Sequence, residues 1–134
     1  LECVRFTRMI VRDKDLEVLA EGFGEKLKIL RIEVCTGFST NGLVHIGNRC
    51  SGLRILSLET SFIHDNGGEW LHELALRNKC LESLNFHLTP LDNYDYKDLV
   101  LIAKNCSESL VSLKLKGCPR KYVVEVFSYA VNLE

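Results

Sequence analysis

The chain has 134 residues, 46% of them apolar and 26% charged, which suits one globular domain and excludes a disordered tail. Seventeen basic residues against eighteen acidic ones leave a formal net charge of −1, removing the generic case for nucleic-acid binding. No apolar run approaches the roughly 20 residues of a membrane span, and the start, Leu1-Glu-Cys-Val-Arg5, lacks the apolar stretch of a signal peptide.

In chain order, strand-like and helix-like patterns alternate. The first strand phrase, Leu1-Val4-Phe6, precedes a helical pattern at Leu16-Leu19-Ala20-Phe23. Leu27-Leu30-Ile32 is followed by Leu43-Ile46-Gly47-Cys50, and Leu53-Leu56-Leu58 by Trp70-Leu71-Leu74-Ala75. Leu81-Leu84-Phe86 leads to Leu99-Ile102-Ala103-Cys106, and Leu110-Leu113-Leu115 to Val123-Val126-Phe127. A sixth phrase is expected to begin at Leu133. Apolar residues three and four apart share one helix face, whereas the strand phrases alternate with period two.

Successive phrases start 26, 26, 28 and 29 residues apart and read L-x-x-L-x-(L/I/F), with Val4 in place of the second Leu once. That length and pattern are those of a leucine-rich repeat. The expected fold class is therefore α/β: a solenoid of five repeats at about 1–26, 27–52, 53–80, 81–109 and 110–132. Strands stack about 4.8 Å apart while helices are about 10–12 Å across. The stack must therefore bend, with strands on the concave face and helices on the convex one. Ser39 or Thr40 is expected to cap the second helix, and Asp13 or Asp15 the first. Gly22-Phe23-Gly24 follows a helix and reads as its stop.

The six cysteines show no CxxC and no short Cys/His cluster, so a zinc site is not expected. Cys35, Cys50, Cys80, Cys106 and Cys118 fall at turn or helix-end positions and are expected in the core of a protein from a reducing compartment. Cys3 lies on a strand position that can face outward. Met9, Ser61 and Thr89 share the turn position of Cys35 and Cys118, three residues after the last strand hydrophobe.

The concave face offers two outward columns: Arg5, Arg31, Ser57, Asn85, Lys114; and Thr7, Glu33, Glu59, His87, Lys116. Such a face is the usual binding surface of a solenoid. Basic residues gather at both ends, about 19 Å apart across four strand spacings, beyond the roughly 8 Å Debye length. Arg5 and Arg31 would be adjacent like charges, unfavourable unless something negative lies between them. Either Glu33 neutralises the pair or a polyanion does, which forked guanidinium donors suit. The residues alone favour Glu33.

Catalytic patterns are missing. His72-Glu73 begins like a zincin motif, but the fifth position is Leu76. Asp92, Asn93 and Asp95 lack the glycine and distal glutamate of an EF-hand, and no nucleophile stands with a base.

Residues outside the periodic positions point to a family. Arg5-Phe-Thr-Arg-Met9 with Val11 and Asp13, Gly37-Phe-Ser-Thr-Asn-Gly-Leu43 and Trp70-Leu-His-Glu-Leu-Ala75 resemble plant F-box leucine-rich-repeat hormone receptors. Leu81-Glu-Ser-Leu-Asn-Phe86 with Thr89, and Lys97-Asp-Leu99 through Ile102-Ala-Lys-Asn-Cys106, are most similar to the jasmonate-receptor, coronatine-insensitive type. The resemblance covers nearly the whole chain. It implies the substrate-recognition subunit of a Skp1–cullin–F-box ubiquitin ligase, located in the nucleus, whose ligase chemistry resides in other subunits. The implied partners are a hormone, a transcriptional repressor, and a Skp1-type adaptor reached through an F-box expected before Leu1.

The resemblance also implies an inositol polyphosphate inside the horseshoe, with Arg5 and Arg8 as contacts; Arg31 is added on geometry alone. Thr7 stands where the family has a basic residue. Most of the hormone pocket is expected outside this segment, so no hormone contact is assigned. An auxin-receptor relative and a general protein-interaction scaffold remain as alternatives. The chain is expected to be an internal piece of a longer solenoid, poorly soluble alone because its ends lack polar capping repeats.

Overall fold

A computed structural model describes residues 2–134, so Leu1, the first phrase residue, lies outside the described residues. Five strands alternate with five helices: β1 (Cys3–Thr7), α1 (Asp13–Phe23), β2 (Ile29–Glu33), α2 (Thr40–Arg49), β3 (Ile55–Ser57), α3 (Glu69–Arg77), β4 (Ser83–Asn85), α4 (Tyr96–Asn105), β5 (Ser112–Lys114) and α5 (Arg120–Tyr129). The strands form one parallel sheet in chain order, and each helix packs on the next. The fold is a leucine-rich-repeat solenoid.

The phrase hydrophobes set the register. Val4 pairs with Leu30, Leu30 with Leu56, Leu56 with Leu84 and Leu84 with Leu113. Leu30, Ile32, Leu56, Leu58, Leu84 and Phe86 are buried, as are the leading residues Leu27, Leu53, Leu81 and Leu110. The ladder runs past the short central strands: Leu58 N–H donates to the Asn85 carbonyl (2.6 Å) and Phe86 N–H to that of Lys114 (2.9 Å). At the chain's far end Glu134 N–H donates to the Val111 carbonyl at 3.1 Å. That bond repeats the one from Val111 to Glu82, and Leu133 packs against the core.

Helix α2 shows why its neighbours come so close. A Cβ on Gly42 would lie 2.5 Å from an Asp13 carboxylate oxygen and 2.9 Å from a Leu16 methyl. One on Gly47 would lie 2.8 Å from the Trp70 carbonyl. The two missing side chains let α1 and α3 approach α2 from either side.

The helix starts differ in part from expectation. Ser39 caps α2, its Oγ accepting from Asn41 N–H (3.1 Å), and Thr40 is the first helical residue. Arg12 occupies the cap position of α1; Asp15 sits three residues in and accepts the Arg12 N–H at 2.8 Å. Asp13 serves the next repeat instead, its two oxygens accepting from Ser39 N–H (2.7 Å) and Ser39 Oγ (2.6 Å). The stop after α1 is Gly24 in right-handed geometry, where a Cβ would meet the Ala20 and Arg49 carbonyl oxygens. The left-handed non-glycine residues lie elsewhere, one just after each of the first four strand phrases: Arg8, Val34, Thr60 and Leu88, with φ of 54°, 57°, 60° and 57°.

Several residues expected inside are not. Phe23 and Phe127 are exposed and Val123 is half-buried, because each closes a helix face with no neighbour over it. Cys35, Cys50 and Cys106 are buried as expected, but Cys80 is exposed and Cys118 only half-buried. Cys80 follows the end of α3 just outside the strand phrase, and Cys118 lies in the fifth unit where stacking is one-sided. Cys3 faces outward and Met9 is exposed, whereas Ser61 and Thr89 at the same turn position are buried. There Ser61 Oγ donates to the Ile32 carbonyl (2.7 Å) and accepts from Cys35 N–H (3.1 Å), so the polar residues replace a packing role with a bonding one.

Asparagines stitch repeats from the helix side. Asn78, fully buried, donates to the Cys50 (2.8 Å) and Leu74 (3.1 Å) carbonyls and accepts from Leu53 N–H (2.8 Å). Asn105 reaches the Ala75 carbonyl (2.9 Å) and Asn132 that of Glu108 (2.8 Å).

Candidate functional site

The outward columns form as the alternation requires. Arg5, Arg31, Ser57, Asn85 and Lys114 are in register across the five strands, and Thr7 pairs with Glu33. Continuing the register beyond the strands sets Glu59, His87 and Lys116 beside one another, with Thr60 N–H donating to the His87 carbonyl at 3.0 Å.

Glu33 is the hub of the first end. Arg5 Nη2 lies 3.4 Å from one of its oxygens and Arg31 Nη1 3.8 Å from the other, which also accepts from Ser57 Oγ at 2.8 Å. The two adjacent arginines are therefore balanced by the carboxylate between them, the first of the two readings of this column. The Glu33 side chain is only 16% exposed while that of Arg5 is 64% exposed, so Arg5 keeps donors facing solvent. Arg8 stands apart. It lies one residue past β1 in the left-handed conformation, exposed at the rim, with its N–H on the Glu33 carbonyl (3.2 Å) and no ion pair among the described residues. The fold thus gathers Arg5 and Arg31 through Glu33 and leaves Arg8 beside them.

Two small polar residues complete the face in a way the columns alone do not reveal. Ser57 and Asn85 point outward yet are nearly buried, because acidic neighbours lie over them. Asn85 Nδ2 donates to Glu59 at 3.1 Å, and Asn85 Oδ1 accepts from His87 N–H at 3.0 Å. A column of Arg, Ser and Asn beside two Glu was the available signal: short donors next to acids bind them sideways.

At the other end Lys116 pairs with Asp92 at 3.3 Å. The loop bearing Asp92 and Asn93 is fixed by Asp65, which accepts both their N–H groups (2.7 and 2.9 Å). Among the described residues no group of three or more metal-ligating side chains gathers, and no helix is long and apolar enough to cross a membrane. His72 Nδ1 lies 2.7 Å from Asp98 on the convex side; that hydrogen bond, opposed by slight desolvation, raises its pKa. His45 and His64 lie away from the concave columns.

No protein-family model matches the chain. Over 137 aligned residues it is 43% identical to the coronatine-insensitive protein homolog 1b of Oryza sativa, covering all of this chain and 23% of that protein. It is 42% identical over 134 residues to the coronatine-insensitive protein 1 of Arabidopsis thaliana, again covering all of this chain and 22% of the relative. GRR1-like protein 1 of Arabidopsis thaliana is 40% identical over 86 residues, 64% of this chain. The chain spans less than a quarter of the length of these curated relatives. Among solved structures, the tropomodulin C-terminal domain of Caenorhabditis elegans superposes with a TM-score of 0.59 at 16% identity, covering 98% of this chain and 83% of that one. That likeness supports the repeat fold alone. Along its full length the chain is related to the coronatine-insensitive proteins, as the residues outside the repeat pattern foretell.

Proposed function

We propose that the chain forms part of the concave wall of a jasmonate receptor, the substrate-recognition subunit of an SCF-type E3 ubiquitin ligase. The observation that carries this reading is an identity of 42–43% to coronatine-insensitive proteins in alignments that span the whole chain. In it the segment has a scaffolding and binding role, and the ligase chemistry resides in other subunits. A hormone and a transcriptional repressor bind the full receptor, a Skp1-type adaptor joins through an F-box outside this segment, and the assembly works in the nucleus.

The test is pull-down of the repressor by the full-length protein with jasmonoyl-isoleucine or auxin. Hormone-dependent capture with the first alone supports the reading; capture with auxin alone favours an auxin-receptor relative. Capture indifferent to both, without Skp1 co-purification, leaves a general interaction scaffold.

Within the same reading an inositol polyphosphate lies on the concave face against Arg5 and Arg8. The solvent-facing donors of Arg5 and the unpaired guanidinium of Arg8 support this. Arg31 is a weaker contact, since its side chain is 37% exposed against 64% for Arg5. In the full-length protein, Arg5→Ala with Arg8→Ala is expected to weaken inositol hexakisphosphate binding at least about tenfold, as loss of charge-assisted bonds should. Glu33→Gln is expected to strengthen it. Unchanged affinity in the double variant removes the site.

A further inference from the structure

The end of the face away from Arg5 carries a second feature that the receptor reading does not use. A concave cavity of about 530 Å3 opens among Glu59, His87, Lys114 and Lys116, with Leu113 and Leu115 also in its lining. It shares Lys116, Gly117 and Cys118 with a rim groove of about 290 Å3 whose other walls include Tyr94, Tyr96 and Pro119. Cavity and groove are therefore continuous around Lys116.

Their chemistries differ. In the cavity the ammonium of Lys114 has no ion pair among the described residues, and Lys116 engages only the exposed Asp92. Glu59 is turned aside by Asn85. The groove is aromatic and held rigid. Tyr94 packs edge-on to Phe86 and to Tyr96, both at 5.3 Å, and Tyr96 stacks on Tyr122 at 5.4 Å with 22° between the rings. Tyr96 also donates to the Gly117 carbonyl at 3.4 Å, and Lys121 Nζ lies 5.4 Å from the Tyr122 ring centre.

We infer that this continuous cavity and groove bind an extended acidic peptide segment, a carboxylate seated at Lys114 and Lys116 and adjoining apolar or proline residues laid on the tyrosines. Charge complementarity selects the sign of the partner. The aromatic half selects a polypeptide over a polyphosphate, since aromatic-lined grooves suit extended or proline-rich chains and offer a phosphate cluster nothing. Glu59 in the cavity wall and Asp92 in the groove wall also disfavour a ligand with many negative charges, while a single carboxylate fits at the lysines. The inference stands whether or not the receptor reading holds.

The test is selection of a phage-displayed library of short random peptides on the full-length protein. Selected peptides are then measured by fluorescence anisotropy against Lys114→Glu with Lys116→Glu, against Tyr96→Ala, and against Arg5→Glu with Arg8→Glu. Enriched peptides are expected to share an acidic residue beside proline or large apolar residues. They should lose about tenfold or more in affinity to the charge-reversed lysine pair, lose less to Tyr96→Ala, and be unaffected at the distant arginines. Lys114→Gln with Lys116→Gln, which leaves the exposed positions uncharged, should give an intermediate loss and guards against misfolding of the reversed pair. No enrichment, enrichment without acidic residues, or equal binding to the lysine variants overturns the inference. So does displacement of inositol hexakisphosphate, rather than of peptide, by changes at Lys114 and Lys116.

Discussion

In the third unit Leu56 and Leu58 are out of contact with water; in the fifth, Leu113 and Leu115 fill the same phrase positions and are only half-buried. The helices differ in the same way. Trp70 of α3 is 2% exposed, whereas Phe127 of α5 is 53% exposed and Val131 just after it 73%. The residues are equally apolar, so composition does not explain the contrast. Each unit presents one face to the unit before and one to the unit after, and side chains on a face left uncovered keep contact with water. Burial in this molecule is thus a property of stacking, which makes the contribution of any side chain depend on its distance from an end.

The sharpest test compares equivalent truncations. Trp70→Ala, which removes a ring set edge-on to Phe86 at 5.7 Å, is expected to cost about 3–5 kcal/mol in chemical denaturation. Phe127→Ala should cost less than about 1 kcal/mol. Equal losses would break the comparison.

A second pair asks the same of polar stitching. Asn78→Ala leaves the Leu53 N–H and Cys50 carbonyl buried without partners and is expected to cost about 2–3 kcal/mol. Asn132→Ala, losing one exposed bond to Glu108, should cost about 0.5–1 kcal/mol.

Thiol chemistry offers a readout without mutation. Burial pushes the Cys50 thiol up to about 12, and Cys35 and Cys106 are likewise enclosed. Under native conditions iodoacetamide should modify Cys3 and Cys80 first and the three enclosed thiols only on unfolding, followed by peptide mass spectrometry. Early labelling of Cys50 would mean that the middle opens as readily as the ends.

The smallest effect is at the α3–α4 contact. Asp98, chiefly through its hydrogen bond, holds His72 above its ordinary value. That contribution is complete below the unfolded histidine value of about 6.5 and is lost as pH rises through the raised folded value. His72 is exposed, so solvent screens the pair. A slight fall in Tm over that window, absent in His72→Gln, is the expected result.

The fold was legible because its signal is repeated: a phrase of leucines fixes strand, register and inward face together, and even the adjacency of Arg5 and Arg31 followed from counting. Helix caps were less so. Asp13 and Asp15 both suit a cap, and only the approach of α2 through Gly42 shows that Asp13 serves the next repeat. Cys80 misled because it lies three residues past the end of α3, where Cys50 and Cys106 follow their helices directly, and periodicity does not decide which way the chain faces there. On the binding face the columns were readable but not their bonds. That Ser57 lies under Glu33, or that Tyr94, Tyr96 and Tyr122 form a stair, depends on loops whose lengths vary from unit to unit.

The left-handed residues Arg8, Val34, Thr60 and Leu88 share one backbone angle and almost nothing else. Such a conformation disfavours every L residue by roughly 1–2 kcal/mol, and Val and Thr more than most. The solenoid imposes the bend; the residue does not choose it. A position whose shape is dictated by its surroundings, while its side chain stands exposed, is open to rewriting. The rim can therefore change its chemical lettering one repeat at a time, cation to methyl to hydroxyl, without any change to the wall beneath.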